Sequence, residues 1–150
     1  MLSKTQKDLI VSIIDAAADL TIATNRADGY PQATTVSFVN DGVTIYFGTW
    51  SGSQKARNIV RDARVSIAIT DPYRTWSDIK GVSIGGRARK LTDASELQKV
   101  GALMMKKFPQ IEQFSKTMQA TDMAIFRIDA EIVSILDYSK EFGHTELVTV

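Results

Sequence analysis

A chain of 150 residues with 44% hydrophobic and 23% charged residues has the length and composition of one globular domain with a sizeable core. Eighteen basic and seventeen acidic residues leave a net charge of +1; there is no polyanion-binding bias and no basic block interleaved with aromatics, so nucleic acid is not expected as a partner. With no cysteine there is no disulfide, thiolate zinc site or cysteine nucleophile, and the single histidine, His144, excludes a two-histidine metal motif within the chain.

Lys4, Lys7 and Asp8 precede a short apolar stretch that lacks the h-region of a signal peptide, and no apolar run reaches membrane-spanning length. A cytoplasmic protein without membrane contact is the expectation. Thr5-x-x-Asp8 reads as a capping box, and Leu9, Ile10, Ile13, Ile14 and Ala17 recur at helical spacing, which predicts an amphipathic helix over residues 5–18. Leu20–Asn25 is a strand candidate, ended by the hairpin signal Ala27-Asp28-Gly29-Tyr30-Pro31. Gln32–Val39, rich in threonine and valine, follows as a strand, and Asn40-Asp41-Gly42 turns the chain into a third, Val43–Thr49. Three such strands joined by tight turns predict a meander.

In Val43–Thr49 the residues Val43, Ile45, Phe47 and Thr49 share one face. Ser51-Gly52-Ser53 breaks the strand, and Ser53 is a good N-cap for a helix over Gln54–Asp62, with Ala56, Ile59, Val60 and Ala63 as its buried stripe. Lys55 and Arg57 fall in the first turn, where the helix dipole disfavours cations unless an anion is present. A hydroxyl cap, free N–H groups and nearby cations suit a phosphate. The same pattern is also ordinary capping with solvated cations, and it lacks the glycine spacing of a Walker loop; spacing alone leaves both readings open.

Arg64–Thr70 alternates as a strand and stops at Asp71-Pro72, followed by a loop over 71–78 that carries Tyr73, Trp76 and Ser77. Ile79–Leu91 is long enough for an extended strand with a bulge or bend at Gly85-Gly86, and it carries Arg87 and Arg89 on one face, toward water or an anion. Thr92 or Asp93 caps a helix whose buried stripe is Leu97, Val100, Met104 and Phe108, and Pro109 opens a turn or short helix running through Met118. Two last strands are predicted, Asp122–Ile128 and Glu131–Tyr138, separated by Asp129-Ala130, with residues 139–150 as a tail. Met104, Met105, Met118 and Met123 read as core filler. Hairpins rather than βαβ units predict a mostly β, α+β fold, a small antiparallel barrel with peripheral helices, as one domain over residues 1–150. No strand–GxGxxG–helix unit is present, and no paired carboxylates or nucleophile–base set stands out.

Three segments taken together are familiar: Asp28-Gly29-Tyr30-Pro31-Gln32-Ala33-Thr34-Thr35-Val36; Tyr46-Phe47-Gly48-Thr49 followed by Gly52-Ser53-Gln54-Lys55-Ala56-Arg57-Asn58; and Asp62-Ala63-Arg64-Val65-Ser66. In order and spacing they resemble the pyridoxamine 5′-phosphate oxidase-like family of FMN-binding split barrels, over roughly residues 5–138. The resemblance implies an antiparallel six- to seven-stranded split β-barrel that forms a homodimer, with FMN in grooves at the subunit interface. It implies that Thr34, Thr35, Val36 and Ser37 run along the isoalloxazine and ribityl chain, and that Gly48 and Thr49 border the cofactor. Ser53, Gln54 and Lys55 would hold the phosphate, with Lys55 as its charged ligand. Trp50 lies beside this site, either over the flavin ring or at the dimer interface.

The chain also departs from the true oxidases. Thr34 and Gln54 stand where those enzymes usually carry arginine, Gly81 stands where a glutamine of the second subunit is expected, and the tail lacks their tryptophan and arginine-histidine elements. Fewer cationic contacts imply weaker flavin binding, by about 1–3 kcal/mol for each lost charge-assisted bond. The chain therefore looks like one of the short, general-stress-protein-like members rather than the oxidase itself. The expected function is a flavin-dependent oxidoreductase acting on an unidentified small molecule, with the flavin carrying any catalysis. The alternatives are a non-catalytic flavin-binding module, or a split barrel using deazaflavin or haem, for which His144 is the one histidine available.

Overall fold

In the computed structural model, which describes residues 1–114 and 122–150, the first helix is set by Ser3 rather than by the predicted Thr5–Asp8 box. Ser3 Oγ accepts from the Gln6 N–H at 3.1 Å and Gln6 Oε1 accepts from the Ser3 N–H at 3.0 Å. A reciprocal box needs a residue that reaches back from the third helical position, and Gln6 does so. Helix α1 therefore spans Lys4–Ala16 and buries Ile10, Ile13 and Ile14.

Strands β1 (Asp19–Asn25) and β2 (Pro31–Ser37) form the first hairpin, with Gly29 at φ 91° in its turn. Strands β3 (Val39–Asp41) and β4 (Thr44–Trp50) form the second, turned by Gly42 at φ 59°. The two hairpins do not join into the predicted meander. The sheet order is β2-β1-β5-β6-β7-β4-β3, so β2 and β3 lie at its opposite ends. Yet only Phe38 separates them along the chain, and one residue spans about 3.5 Å. The sheet must therefore curl until its two ends meet. It is a barrel that stays split where no ladder closes β2 onto β3 or β4, among the described residues. Phe38 is buried at the junction, and Lys107 pins it from above, its Nζ donating to the Phe38 carbonyl at 2.8 Å and standing 3.7 Å over the ring.

Helix α2 (Gln54–Arg61) leads into β5 (Arg64–Thr70). A 3₁₀ turn at Trp76–Asp78 precedes β6 (Lys80–Lys90), and α3 (Ala94–Lys107) and the short α4 (Ile111–Phe114) follow. Strand β7 (Met123–Asp137) runs unbroken through Asp129-Ala130, where two strands and a turn are predicted. No non-glycine residue among the described ones takes the positive φ that a tight turn there would need. Instead Gly85 pairs with Ile132 and Gly86 with Ala130, which leaves Glu131 as an extra residue in β7. This bulge lies opposite the predicted Gly85-Gly86. It moves the inward face of β7 from Ala124, Phe126 and Ile128 to Val133 and Ile135. Gly86 leaves room for the crossing, since a Cβ there would lie 2.4 Å from the Asp129 carbonyl. The first half of β7 pairs with β4. Its second half pairs with β8 (Thr145–Thr149), a strand in what is predicted as tail, so the described sheet has eight strands where six or seven are predicted.

The main core fills the barrel with residues such as Ile22, Phe47, Ile67, Ile84 and Phe126. A smaller cluster, Val39, Tyr46, Leu91 and Val100, packs α3 onto the outside of β3 and β4. Two predicted stripes are corrected. In α2 the inward residues are Ala56, Asn58 and Ile59, while Val60 is 78% exposed. Met104 and Met123 are half-buried, Met105 is exposed, and Met118 lies outside the described residues. No helix among the described residues is long and apolar enough to cross a membrane.

Candidate functional site at the start of helix α2

The end of β4 and the start of α2 are built by the chain's own hydrogen bonds. Ser53 N–H donates to the Trp50 carbonyl at 2.9 Å, and Ser51 N–H donates to the Asp122 carbonyl at 2.8 Å. Ser53 caps the helix, its Oγ accepting from the Ala56 N–H at 3.2 Å and from the Thr49 hydroxyl at 3.2 Å. Both lone pairs of that oxygen are thus engaged, and its O–H is left to donate outward. The N–H groups of Gln54 and Lys55 have no acceptor among the described residues, as expected of the first helical positions.

The three side chains that follow differ in use. Arg57 serves its own loop, donating to the Gly52 carbonyl at 2.6 Å and to Gln54 Oε1 at 3.0 Å. Gln54 is held at both ends, its Nε2 donating to Asn58 Oδ1 at 2.8 Å, so its main-chain N–H is the group it presents. Lys55 is half-buried and makes no hydrogen bond or ion pair among the described residues. Beneath them Asn58 is fully buried and donates to Thr24 Oγ1 at 3.0 Å and to Gln32 Oε1 at 3.4 Å. This polar knot fastens α2 to β1 and β2.

The knot connects the helix start to the strand that carries Thr34, Thr35, Val36 and Ser37. Gln32, Thr34 and Val36 turn their side chains inward and are half-buried, while Thr35 and Ser37 are exposed on the outer face. Thr34 Oγ1 is buried without a hydrogen-bond partner among the described residues, an arrangement that costs about 1–3 kcal/mol unless something outside the chain completes it. Trp50 is 62% exposed, and its ring lies over Gly52, where a Cβ would come within 2.8 Å of it. Thr49 faces inward beside Ser53. Gly48 and Ser37 meet instead at a separate apolar groove of about 360 Å³, walled by Phe38, Met104, Phe108, Ile111, Met123 and Ile125. The ten predicted residues thus divide between a polar helix start, the open edge of the barrel and the end of this groove.

Sequence reasoning missed Asn58, Gln32, Thr24 and the groove. The i, i+4 spacing of Gln54 and Asn58 was a usable signal, but Val60 at helical spacing drew the apolar stripe to the wrong side. Other singled-out residues have partners elsewhere. His144 Nε2 lies 3.1 Å from Glu146 Oε1, and Lys140 and Gln6 also hold that carboxylate, bringing it down to about 2. Trp76 packs on Phe142 at 5.7 Å and Phe142 on Tyr138 at 5.4 Å, which anchors the 71–79 loop to the tail. Arg87 pairs with Glu131, and Arg89 with Glu96 and Asp129, so both meet carboxylates.

No curated protein matches the sequence. Among solved structures, a haem-binding protein from Mycobacterium smegmatis superposes with a TM-score of 0.82 at 18% identity, over 99% of this chain and 60% of its own. This chain therefore spans less than two thirds of that protein. The haem storage protein of Vibrio cholerae gives 0.67 at 23% identity, over 80% of this chain and 86% of its own. A pyridoxamine 5′-phosphate oxidase homologue from Listeria innocua, itself assigned only provisionally, gives 0.70 at 20% identity, over 87% and 98%. At these identities the likeness is one of fold. The family model described as pyridoxamine 5′-phosphate oxidase matches residues 7–137, and the chain belongs to that family.

Proposed function

We propose that the protein binds FMN at the start of α2 and acts as a flavin-dependent oxidoreductase on a small molecule. The observation that carries this reading is the half-buried Lys55, unpaired among the described residues beside a hydroxyl-capped helix start whose first N–H groups find no acceptor among them. The helix dipole disfavours a cation in the first turn unless an anion is present, and a phosphate there would receive the Lys55 ammonium, the Ser53 hydroxyl and the Gln54 and Lys55 N–H groups together. Thr34 Oγ1, buried and without a partner among the described residues, supplies one more polar group on the neighbouring strand. When bound, the flavin would supply the hydride or electron chemistry. The chain's own part is to hold the phosphate, to stiffen the helix start through Arg57 and the Asn58 knot, and to keep water from the strand face at Thr34 and Val36.

A homodimer is part of the proposal. One cross-strand row runs Thr35–Thr21–Ala68–Ser83–Ser134–Leu147 over six strands, all on the outward face and without a charge. Sheets that face water alone usually carry charges in such rows. This row also contains Thr35, one of the residues expected along the flavin, so a second copy packed here would lie beside the cofactor.

The test is the absorbance of the purified protein before and after incubation with excess FMN and desalting, with mass measured in solution. Retained flavin on a dimer, reducible by a nicotinamide donor and reoxidised by an acceptor, supports the reading. Ala68→Arg should give a monomer with impaired retention. Flavin that is held but never changes redox state would make the protein a non-catalytic flavin module. Haem is the second reading, favoured by the two haem-associated structures of the same fold. It predicts haem binding that His144→Ala abolishes, and the Glu146 contact on Nε2 stands against that role.

A further inference from the structure

The groove between α3, α4 and the β4–β7 sheet differs in chemistry from everything around it. Among the described residues of its lining, the Ser37 hydroxyl is the one polar side-chain group, and none of them is a carboxylate or a cation. Lys107, which stands over the Phe38 and Phe108 rings at 3.7 and 5.4 Å, is engaged with the Phe38 carbonyl. The volume of about 360 Å³ lies within the range of small-molecule pockets. Gly48 helps to keep it open: a Cβ there would press to 3.0 Å from Ile125 Cδ1 and 3.5 Å from Met123 Cε, both of which form the groove wall. The rim residue Phe114 is 56% exposed. Ser37 and Gly48 belong both to this groove and to the residues expected beside the flavin.

We infer that this groove is the substrate pocket and that it takes uncharged, apolar small molecules. The word substrate rests on the flavin reading above, while the ligand class rests on the groove alone. A phosphate ester or an aminomethyl cation would lose its hydration here with no charged partner among the described residues to replace it. The family's namesake substrate carries both charges. An uncharged aromatic or aliphatic molecule gains from the same walls.

The experiment uses the full-length protein, with and without FMN loaded. N-phenyl-1-naphthylamine, uncharged and fluorescent when desolvated, is titrated into each, while FMN loading is read separately by absorbance. The expected result is saturable binding that menadione displaces and pyridoxamine 5′-phosphate does not. Met104→Glu and Phe114→Glu should each weaken it by about tenfold or more, with the melting temperature of each variant measured alongside so that a loss of binding counts only where the fold is retained. Absence of binding, binding unaffected by both variants, or displacement by pyridoxamine 5′-phosphate overturns the inference. FMN retained without probe binding overturns it too and leaves the flavin reading standing. Probe binding without FMN retention supports the ligand class and overturns the flavin reading.

Discussion

The starts of α2 and α3 present the same elementary problem and answer it in opposite ways. At α3 the chain supplies its own anions. Asp93 caps the helix, accepting from the Glu96 N–H at 2.8 Å and the Ser95 hydroxyl at 2.6 Å, and Glu96 pairs with Arg127 at 2.6 Å. Both carboxyl groups are held below their usual range, Asp93 by the Ser95 hydroxyl and Glu96 by the Arg127 guanidinium. At α2 the cap is a neutral hydroxyl, the first turn has no acid, and Lys55 is unpaired among the described residues. A helix end that the chain neutralises is finished as structure, whereas one left cationic can accept an anion from outside.

The contrast can be broken from the inside first. Asn58→Leu should be the most damaging change, costing about 2–4 kcal/mol in a denaturant titration, because the buried Thr24 and the half-buried Gln32 and Gln54 lose their shared partner. FMN retention should fall with it, since α2 is no longer fastened to β2. Next, Lys55→Ala should weaken FMN by about 1.5–3 kcal/mol in equilibrium titration while leaving the unfolding midpoint where it was. Ser53→Asp makes the start of α2 resemble that of α3; it should preserve or raise stability and abolish FMN retention by like-charge repulsion. If Ser53→Asp retained FMN, the phosphate would not lie at α2.

Asp93→Ala supplies the converse, with a loss of about 1 kcal/mol of stability and unchanged FMN affinity. The smallest effect is one of pH. Because Arg127 lowers the folded-state pKa of Glu96 below its ordinary 4.5, the stabilisation is fully present above the usual glutamate range. It is lost as pH falls through the depressed value. Glu96→Gln should flatten that acid limb of the stability profile, and a limb unchanged by the substitution would remove Glu96 from the account.

Local signals carried much of the fold. Gly29 and Gly42 sit at positive φ in the turns predicted for them, because only short-range sterics decide a tight hairpin. The Ser53 cap and the Gly85-Gly86 irregularity were equally legible. The candidate site was legible in part: Ser53 and Lys55 stood out by type and position, but no periodicity distinguishes the engaged Arg57 from the unpaired Lys55. The groove was not legible, since Phe38, Phe108 and Ile125 lie far apart in sequence and meet only after α3 folds back over β4 and β7.

By itself the sequence determined the helices, the two hairpin turns, the Ser53 cap and the strand alternation, all of which depend on interactions within a few residues, whereas the cap of α1 fell to Ser3 rather than to Thr5. Tertiary structure decided that β2 and β3 take the two ends of the sheet order, that β7 continues through Asp129-Ala130 with a bulge, and that residues 145–149 become a strand. It also decided that Asn58 rather than Val60 turns inward. These outcomes follow from which edges find partners and which polar groups find bonds once buried. Such choices are made between residues distant along the chain, where no local pattern records them.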